Sequence, residues 1–183
     1  MGLLHYFYKI CIVGNFGVGK TTLVRQYLEK RFVCNVASTI GSNFYLKQIK
    51  IPNVENIITL QIWDLAGQDH FKWVRKEFYK GAKGIVYVFD LTRKDTFEDM
   101  IKWKNEIDNV DGDFSTVLVG NKLDLINPNN RMISEVEITN VQHFLGASAY
   151  FEASAKIGTS VMDFFLKLVS EIYSSFNSKN ESV

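Results

Sequence analysis

The chain has 183 residues, 46% of them hydrophobic and 14% aromatic, enough to bury one substantial core and to exclude a disordered polymer. Its 21 Lys and Arg against 20 Asp and Glu leave a net charge of +1, which argues against a partner such as nucleic acid held by bulk charge. Two Cys without Cys-x-x-Cys spacing, three scattered His and no apolar run of about 18–20 residues argue against a disulfide framework, a zinc site or a membrane span. A reducing, cytoplasmic setting is expected. The start, Met1-Gly2-Leu3-Leu4-His5-Tyr6, lacks the basic and apolar regions of a secretory signal, and Tyr6 stands where myristoylation needs Ser or Thr.

In chain order, Lys9–Val13 is a compact apolar run closed by Gly14, predicting a buried strand, and Gly19 to about Lys30 follows with helical character. Asn43–Ile51 and Ile57–Trp63 are rich in β-branched and aromatic residues and read as strands, with Pro52-Asn53 as the turn. Gly84–Asp90 and Thr116–Gly120 are further buried strands, and Tyr150–Glu152 a short sixth. Asp95, Ser134 and Ser160, each with an acidic residue three positions on, are expected helix N-caps. In the last helix Val161, Phe165, Leu168, Val169, Ile172 and Phe176 share one face. The expected fold is α/β: about six strands, mostly parallel, flanked by about five helices. Ligands in such a sheet bind at the carboxyl ends of the strands. One domain is expected over residues 1–176, followed by a short polar tail over 177–183.

Gly14-Asn15-Phe16-Gly17-Val18-Gly19-Lys20-Thr21 satisfies G-x-x-x-x-G-K-[ST] between a strand and a helix, the pattern of a P-loop NTPase. The glycines let backbone N–H groups converge on phosphate oxygens, and the helix N-terminus adds partial positive charge. Lys20 is expected on the β- and γ-phosphates and the Thr21 hydroxyl on Mg²⁺. Thr22 completes the expected phosphate contacts. A lysine in a first helical turn opposes the dipole unless an anion sits there.

Asn121-Lys122-Leu123-Asp124 follows the Thr116–Gly120 strand. There Asp124 can accept from guanine N1–H and N2–H₂, a donor pair adenine lacks. Asn121 is expected to tie this loop to the phosphate loop, and the Lys122 stem to cover a base face. Ser154-Ala155-Lys156 follows the short sixth strand, and the Ala155 N–H is an expected donor to guanine O6. Trp63-Asp64-Leu65-Ala66-Gly67-Gln68 leaves the third strand. Asp64 can hold Mg²⁺ through water, the Gly67 N–H can donate to a γ-phosphate, and Gln68 can orient an attacking water. The expected catalytic set is Gln68, Lys20 and Gly67.

These residues, in this order, resemble the small GTPases of the Ras superfamily from Lys9 to Phe176, and within it the Rab branch. Ser38-Thr39-Ile40-Gly41 with Phe44 looks like the first Rab switch stretch, and Leu60–Asp64 with Ala66-Gly67-Gln68 like the second. Phe78–Ala82, Phe89–Thr92, Thr96-Phe97 and Trp103 fit as well. The resemblance implies that Thr39 closes on Mg²⁺ and the γ-phosphate, giving Thr21, Thr39 and Asp64 as the metal set, and that Phe32 stacks on guanine. It implies that Phe44, Trp63 and Phe78 form an effector-sensing aromatic surface, with core packing as the competing account of the latter two. Further implications are GTP and GDP as ligands, slow hydrolysis, and an exchange factor, an activating protein and effectors at the switches. A monomer that does not bind nucleic acid is expected.

The chain also departs from that family. Phe16 places a benzyl group near the γ-phosphate, where it would crowd Gln68, the water or an incoming arginine finger. Val36 lacks the aromatic ring many relatives carry, and Leu65 replaces a commoner threonine. The Pro52–Asn56 hairpin and Asn127–Asn130 loop look slightly long. Cys34 is read as a plain surface thiol and Cys11 as strand core. The tail Ser178–Val183 carries no Cys-a-a-X and no polybasic run, so membrane association is expected only if a lipidated C-terminus lies beyond this sequence. Three readings stay open: a slowly hydrolysing guanine-nucleotide switch, a module that holds GTP because Phe16 obstructs hydrolysis, and an ATP-using P-loop kinase, against which Asp124 and Ala155 argue.

Overall fold

A computed structural model describes residues 4–32, 37–127 and 131–180. Cys34, Val36, part of the Asn127–Asn130 loop and the last three residues lie outside them. Six strands form one sheet: β1 His5–Val13, β2 Ser42–Ile49, β3 Ile57–Leu65, β4 Gly84–Asp90, β5 Ser115–Asn121 and β6 Ala149–Glu152. Their order is β2-β3-β1-β4-β5-β6, with β2 antiparallel to β3 and every other pair parallel. The helical segments are α1 Lys20–Glu29, α2 Lys72–Tyr79, α3 Lys94–Glu98, α4 Met100–Ile107, α5 Glu135–Leu145 and α6 Val161–Asn180. Since α3 and α4 are two pieces of the single β4–β5 connection, separated at Asp99, helices fill five positions around the sheet.

Strand periodicity divides the core into two layers. On β4, Val86 and Val88 join α1 and α6 on one face, packing with Leu23, Phe165 and Leu168. Ile85, Tyr87 and Phe89 point the other way, against Tyr79, Phe97, Trp103 and Leu145. All of β4 is buried, as a central parallel strand covered on both faces must be. Each fully buried Phe or Leu here contributes about 1.5–3 kcal/mol. On α6 the expected stripe is buried as far as Ile172, whereas Phe176 is exposed, with its ring centroid 5.6 Å from that of Tyr6 on β1. Cys11 is core, its thiol donating to Phe78 O at 3.3 Å and pushed up to about 12 by burial.

Several expectations are corrected. β1 begins at His5 rather than Lys9, because it pairs with β3 from His5↔Ile57 onward. Asp95 is not a cap: α3 starts at Lys94, after a turn set by Thr92 N–H donating to Asp90 and the Thr96 hydroxyl donating to Arg93 O. Ser160 stands in the left-handed region at φ 55° rather than in the extended conformation of an N-cap. Only Ser134 caps as expected, in a full capping box with Glu137. α2 was not anticipated from the sequence: it buries Arg75 beside Tyr79, with Val74 and Phe78 half-buried on the same side. Residues 177–180, expected as tail, continue α6, as no Gly or Pro interrupts it. Among the described residues no helix is long and apolar enough to cross a membrane.

Candidate functional site

Because β1, β3, β4, β5 and β6 are parallel, their carboxyl ends lie together, and the loops leaving β1, β3, β5 and β6 line one cavity of about 540 Å³, the size of a small-molecule site. Gly17, Gly19, Lys20, Thr21 and Thr22 form its floor, and Phe16, Phe32, Thr39, Gly67 and Gln68 lie on its rim. Asn121, Lys122, Asp124, Ala155 and Lys156 form the far wall. Most residues expected to touch a nucleotide thus meet in one place. The exceptions are Asn15, Val18 and Ser154, which support the wall from behind. Asn15 bonds Trp103 and Asp99, Val18 is core, and the Ser154 hydroxyl donates to Asp124 at 2.6 Å.

Gly19 caps α1 at φ 96°, and a Cβ there would lie 2.3 Å from Asn121 Nδ2. Only glycine permits both the turn and that approach. Lys20, in the first turn, is buried, with its ammonium donating to Gly14 O at 2.7 Å and Asn15 O at 3.0 Å. Burial pushes it down to about 8 against the upward pull of Asp64. A buried cation at a helix N-terminus is stabilised by an anion, which the helix end itself also attracts.

Thr21 Oγ1 donates to Asp64 Oδ2 at 2.5 Å and lies 3.0 Å from the Thr39 hydroxyl. Asn43 also donates to Asp64 Oδ2, at 3.2 Å. Asp64 Oδ1 is buried with no hydrogen-bond partner. Burial raises the Asp64 carboxyl above its usual range, against its bonds from Thr21 and Asn43 and the Lys20 charge. Two hydroxyls beside a buried carboxylate with a spare oxygen fit a hard divalent cation such as Mg²⁺, which prefers few protein ligands completed by phosphate and water. Among the described residues no group of three or more His, Cys, Asp or Glu gathers as a metal cage.

Gly67 abuts the phosphate loop so closely that a Cβ would lie 2.5 Å from Gly14 O and Phe16 N. Gln68 Nε2 donates to Ser38 Oγ at 2.7 Å, linking the two switch stretches, and Gln68 Oε1 is buried without a partner. On the far wall, Asn121 Nδ2 donates to Val18 O at 2.8 Å, the tie expected between the base loop and the phosphate loop. The Ala155 N–H is engaged, donating to Asn121 Oδ1 at 3.1 Å. A base carbonyl would therefore share that donor rather than find it free. Lys122, left-handed at φ 68°, places its ammonium 2.6 Å from Asp90 Oδ2. Burial alone would raise Asp90, but Lys122 and Thr92 hold its carboxyl below the usual range.

Reading the motifs alone missed Asn43, Asp90 and Arg93, whose guanidinium donates to Phe16 O at 3.0 Å. Asp90 carried a usable signal, since it ends a buried parallel strand beside the base loop. Asn43 and Arg93 carried none. The rings of Phe44, Trp63 and Phe78 meet in series at tilted angles, with centroids 5.0 and 5.2 Å apart. Phe44 is exposed, and the other two are half-buried.

A family model described as the Ras family matches residues 9–174. Among curated proteins, the chain is 37% identical over 163 residues to the Ras-related protein RABG3e of Arabidopsis thaliana, covering 86% of this chain and 78% of the relative. It is 38% identical over 165 residues to the Ras-related protein Rab-12 of Mus musculus, covering 90% and 66%. To the Ras-related protein Rab7 of Pisum sativum it is 34% identical over 172 residues, covering 91% and 82%.

Proposed function

Because this chain belongs to the Ras family of small GTPases and is Rab-like, we propose that it is a guanine-nucleotide switch that binds GTP and GDP with Mg²⁺ and hydrolyses GTP slowly. The observation that carries this reading is the single cavity lined at once by Lys20, by Asp124, and by Thr39 and Gln68 from the two switch stretches. The phosphate loop and Lys20 hold phosphate charge, and Asp124, oriented by Ser154, selects guanine. Thr21, Thr39 and Asp64 would hold Mg²⁺, which when bound would neutralise charge on the phosphate oxygens. Gln68 orients the attacking water through its free Oε1, and the Gly67 N–H donates to the γ-phosphate. Thr39 and Gly67 are ordered by that phosphate and released when it leaves, so the two stretches report the nucleotide state. Effectors read them at Phe44, Trp63 and Phe78, and an exchange factor and an activating protein act at the same two switch regions.

Single-turnover assays of GTP-loaded protein test the hydrolase, with Gln68→Leu as the slowed control. No GDP formed over many hours, with or without cell extract, would sink it. Identifying the nucleotide released on denaturing freshly purified protein is the complementary measurement, and an adenine nucleotide there overturns the reading.

A second reading, a module that holds GTP without turning it over, is favoured by Phe16. This residue is 56% exposed on the cavity rim, and its carbonyl accepts from Arg93. An obstructed rim would exclude an arginine finger worth on the order of 10³–10⁵ in rate. Phe16→Gly separates the two: a faster variant supports obstruction, and an unchanged rate removes it.

A further inference from the structure

We infer that Arg75 is a positioning residue for GTP hydrolysis, clamping the Ala66–Gln68 backbone against the phosphate loop; this rests on the hydrolase reading above. Arg75 lies on α2 and is 1% exposed. Its Nε and Nη2 donate to the two carboxylate oxygens of Glu106, each at 2.7 Å. The remaining nitrogen, Nη1, donates to Ala66 O at 3.1 Å and to Gln68 O at 2.8 Å. Gly67 lies between those two carbonyls, at the point where the backbone meets Gly14 and Phe16. One guanidinium thus grips both sides of the residue that abuts the phosphate loop, immediately before the water-orienting glutamine.

The platform for this clamp is α4. Glu106 is fixed a second time by the Tyr79 hydroxyl, which donates at 2.7 Å. Trp103, one turn earlier, lays its ring 4.4 Å from the guanidinium carbon. The same indole donates through Nε1–H to Asn15 Oδ1 at 2.8 Å. So α4 holds the phosphate loop through Trp103 and the Gln68 segment through Arg75, keeping both in one register. A buried ion pair is by itself weak support for stability, because desolvation offsets its attraction. With Nε and Nη2 committed to Glu106, the remaining donors of the buried guanidinium need acceptors, and those they meet are the two carbonyls that flank Gly67. Lysine could not replace this arginine, since a single ammonium lacks the planar fork that serves Glu106 and both carbonyls together.

The test uses the full chain loaded with GTP and Mg²⁺. Arg75→Met alone would leave Glu106 buried and unpaired, so the informative variant is Arg75→Met combined with Glu106→Met, which removes both charges and keeps the core filled. Single-turnover hydrolysis is expected to fall roughly ten- to a hundredfold. Affinities for GDP and a non-hydrolysable GTP analogue should stay within about threefold of the parent. Arg75→Lys should fall between, and amide exchange over residues 66–69 of the GDP-loaded double variant should speed up. The inference is overturned if the folded double variant hydrolyses within about twofold of the parent, or if nucleotide affinity falls as far as the rate. A parent that forms no GDP overturns the hydrolase reading, and this inference with it, and is recognised without any variant.

Discussion

The Thr21 hydroxyl donates to Asp64 Oδ2 across 2.5 Å, joining the first turn of α1 to the end of β3. The other Asp64 oxygen is buried with no partner, so the carboxylate is oriented by protein on one side and left available on the other. Outer ligands of this kind typically change metal affinity 10–100-fold when lost. Asp64→Ala should therefore shift the Mg²⁺ concentration that slows GDP release upward by about 10–100-fold. Titrating Mg²⁺ against the release rate of a fluorescent GDP measures this, and an unshifted midpoint removes Asp64 from the metal set.

Lys20 supplies a pH dependence. With its pKa lowered by burial to about 8, the ammonium is charged at pH 7 and loses its proton as pH rises through 8. A bound phosphate favours the charged form, so binding takes up a proton above that point and affinity falls with rising pH. Between pH 7 and 8.5 the fall attributable to this one site is about fourfold. Calorimetry in buffers of different ionisation enthalpy should show the proton uptake, and Lys20→Met should bind weakly without it.

Asp124 is held by the Ser154 hydroxyl at 2.6 Å, with the Lys156 ammonium 3.8 Å away. Replacing a carboxylate that accepts two hydrogen bonds from a base should weaken binding at least about a hundredfold. Competition binding of Asp124→Ala should show that loss for GDP and almost no change for ADP. Equal losses for both would mean that Asp124 shapes the loop rather than reads the base.

Ser134 tests stability away from the site. Its hydroxyl accepts from Glu137 N–H, while Glu137 reaches back to the Ser134 N–H. Ser134→Ala should cost about 1 kcal/mol and lower Tm by roughly 2–4 °C, with nucleotide affinity unchanged. Thermal melts of the GDP-bound forms at matched nucleotide concentration compare the two directly.

Where the chemistry lies in adjacent residues, the sequence carried it. Lys20 and Thr21 follow their glycines directly, and Asp124 stands three places after Asn121, so strand-end position and residue type together located the cavity walls. The helix starts were less legible, because the turn before α3 is set by Asp90 and Thr92 side chains rather than by a capping pattern. That the expected Ala155 donor also meets the Asn121 side-chain oxygen, 34 positions earlier, has no local sign in the sequence. α2 went unread although Val74, Phe78 and Tyr79 share its inner face, because the arginine buried among them, Arg75, interrupts the apolar stripe.

By itself, then, the sequence determined an alternating β/α chain of nearly balanced charge, its phosphate loop, its base loop and the family they resemble, since each depends on neighbours along the backbone. Only the tertiary structure decided how those pieces hold one another. The Asn15–Trp103 bond spans 88 positions and the Arg75–Glu106 pair 31, and a polar side chain reveals its partner only after folding removes water and leaves a single acceptor within reach. That is why the phosphate-loop pattern can be read from the sequence, and the Arg75 contacts to the Gln68 segment cannot.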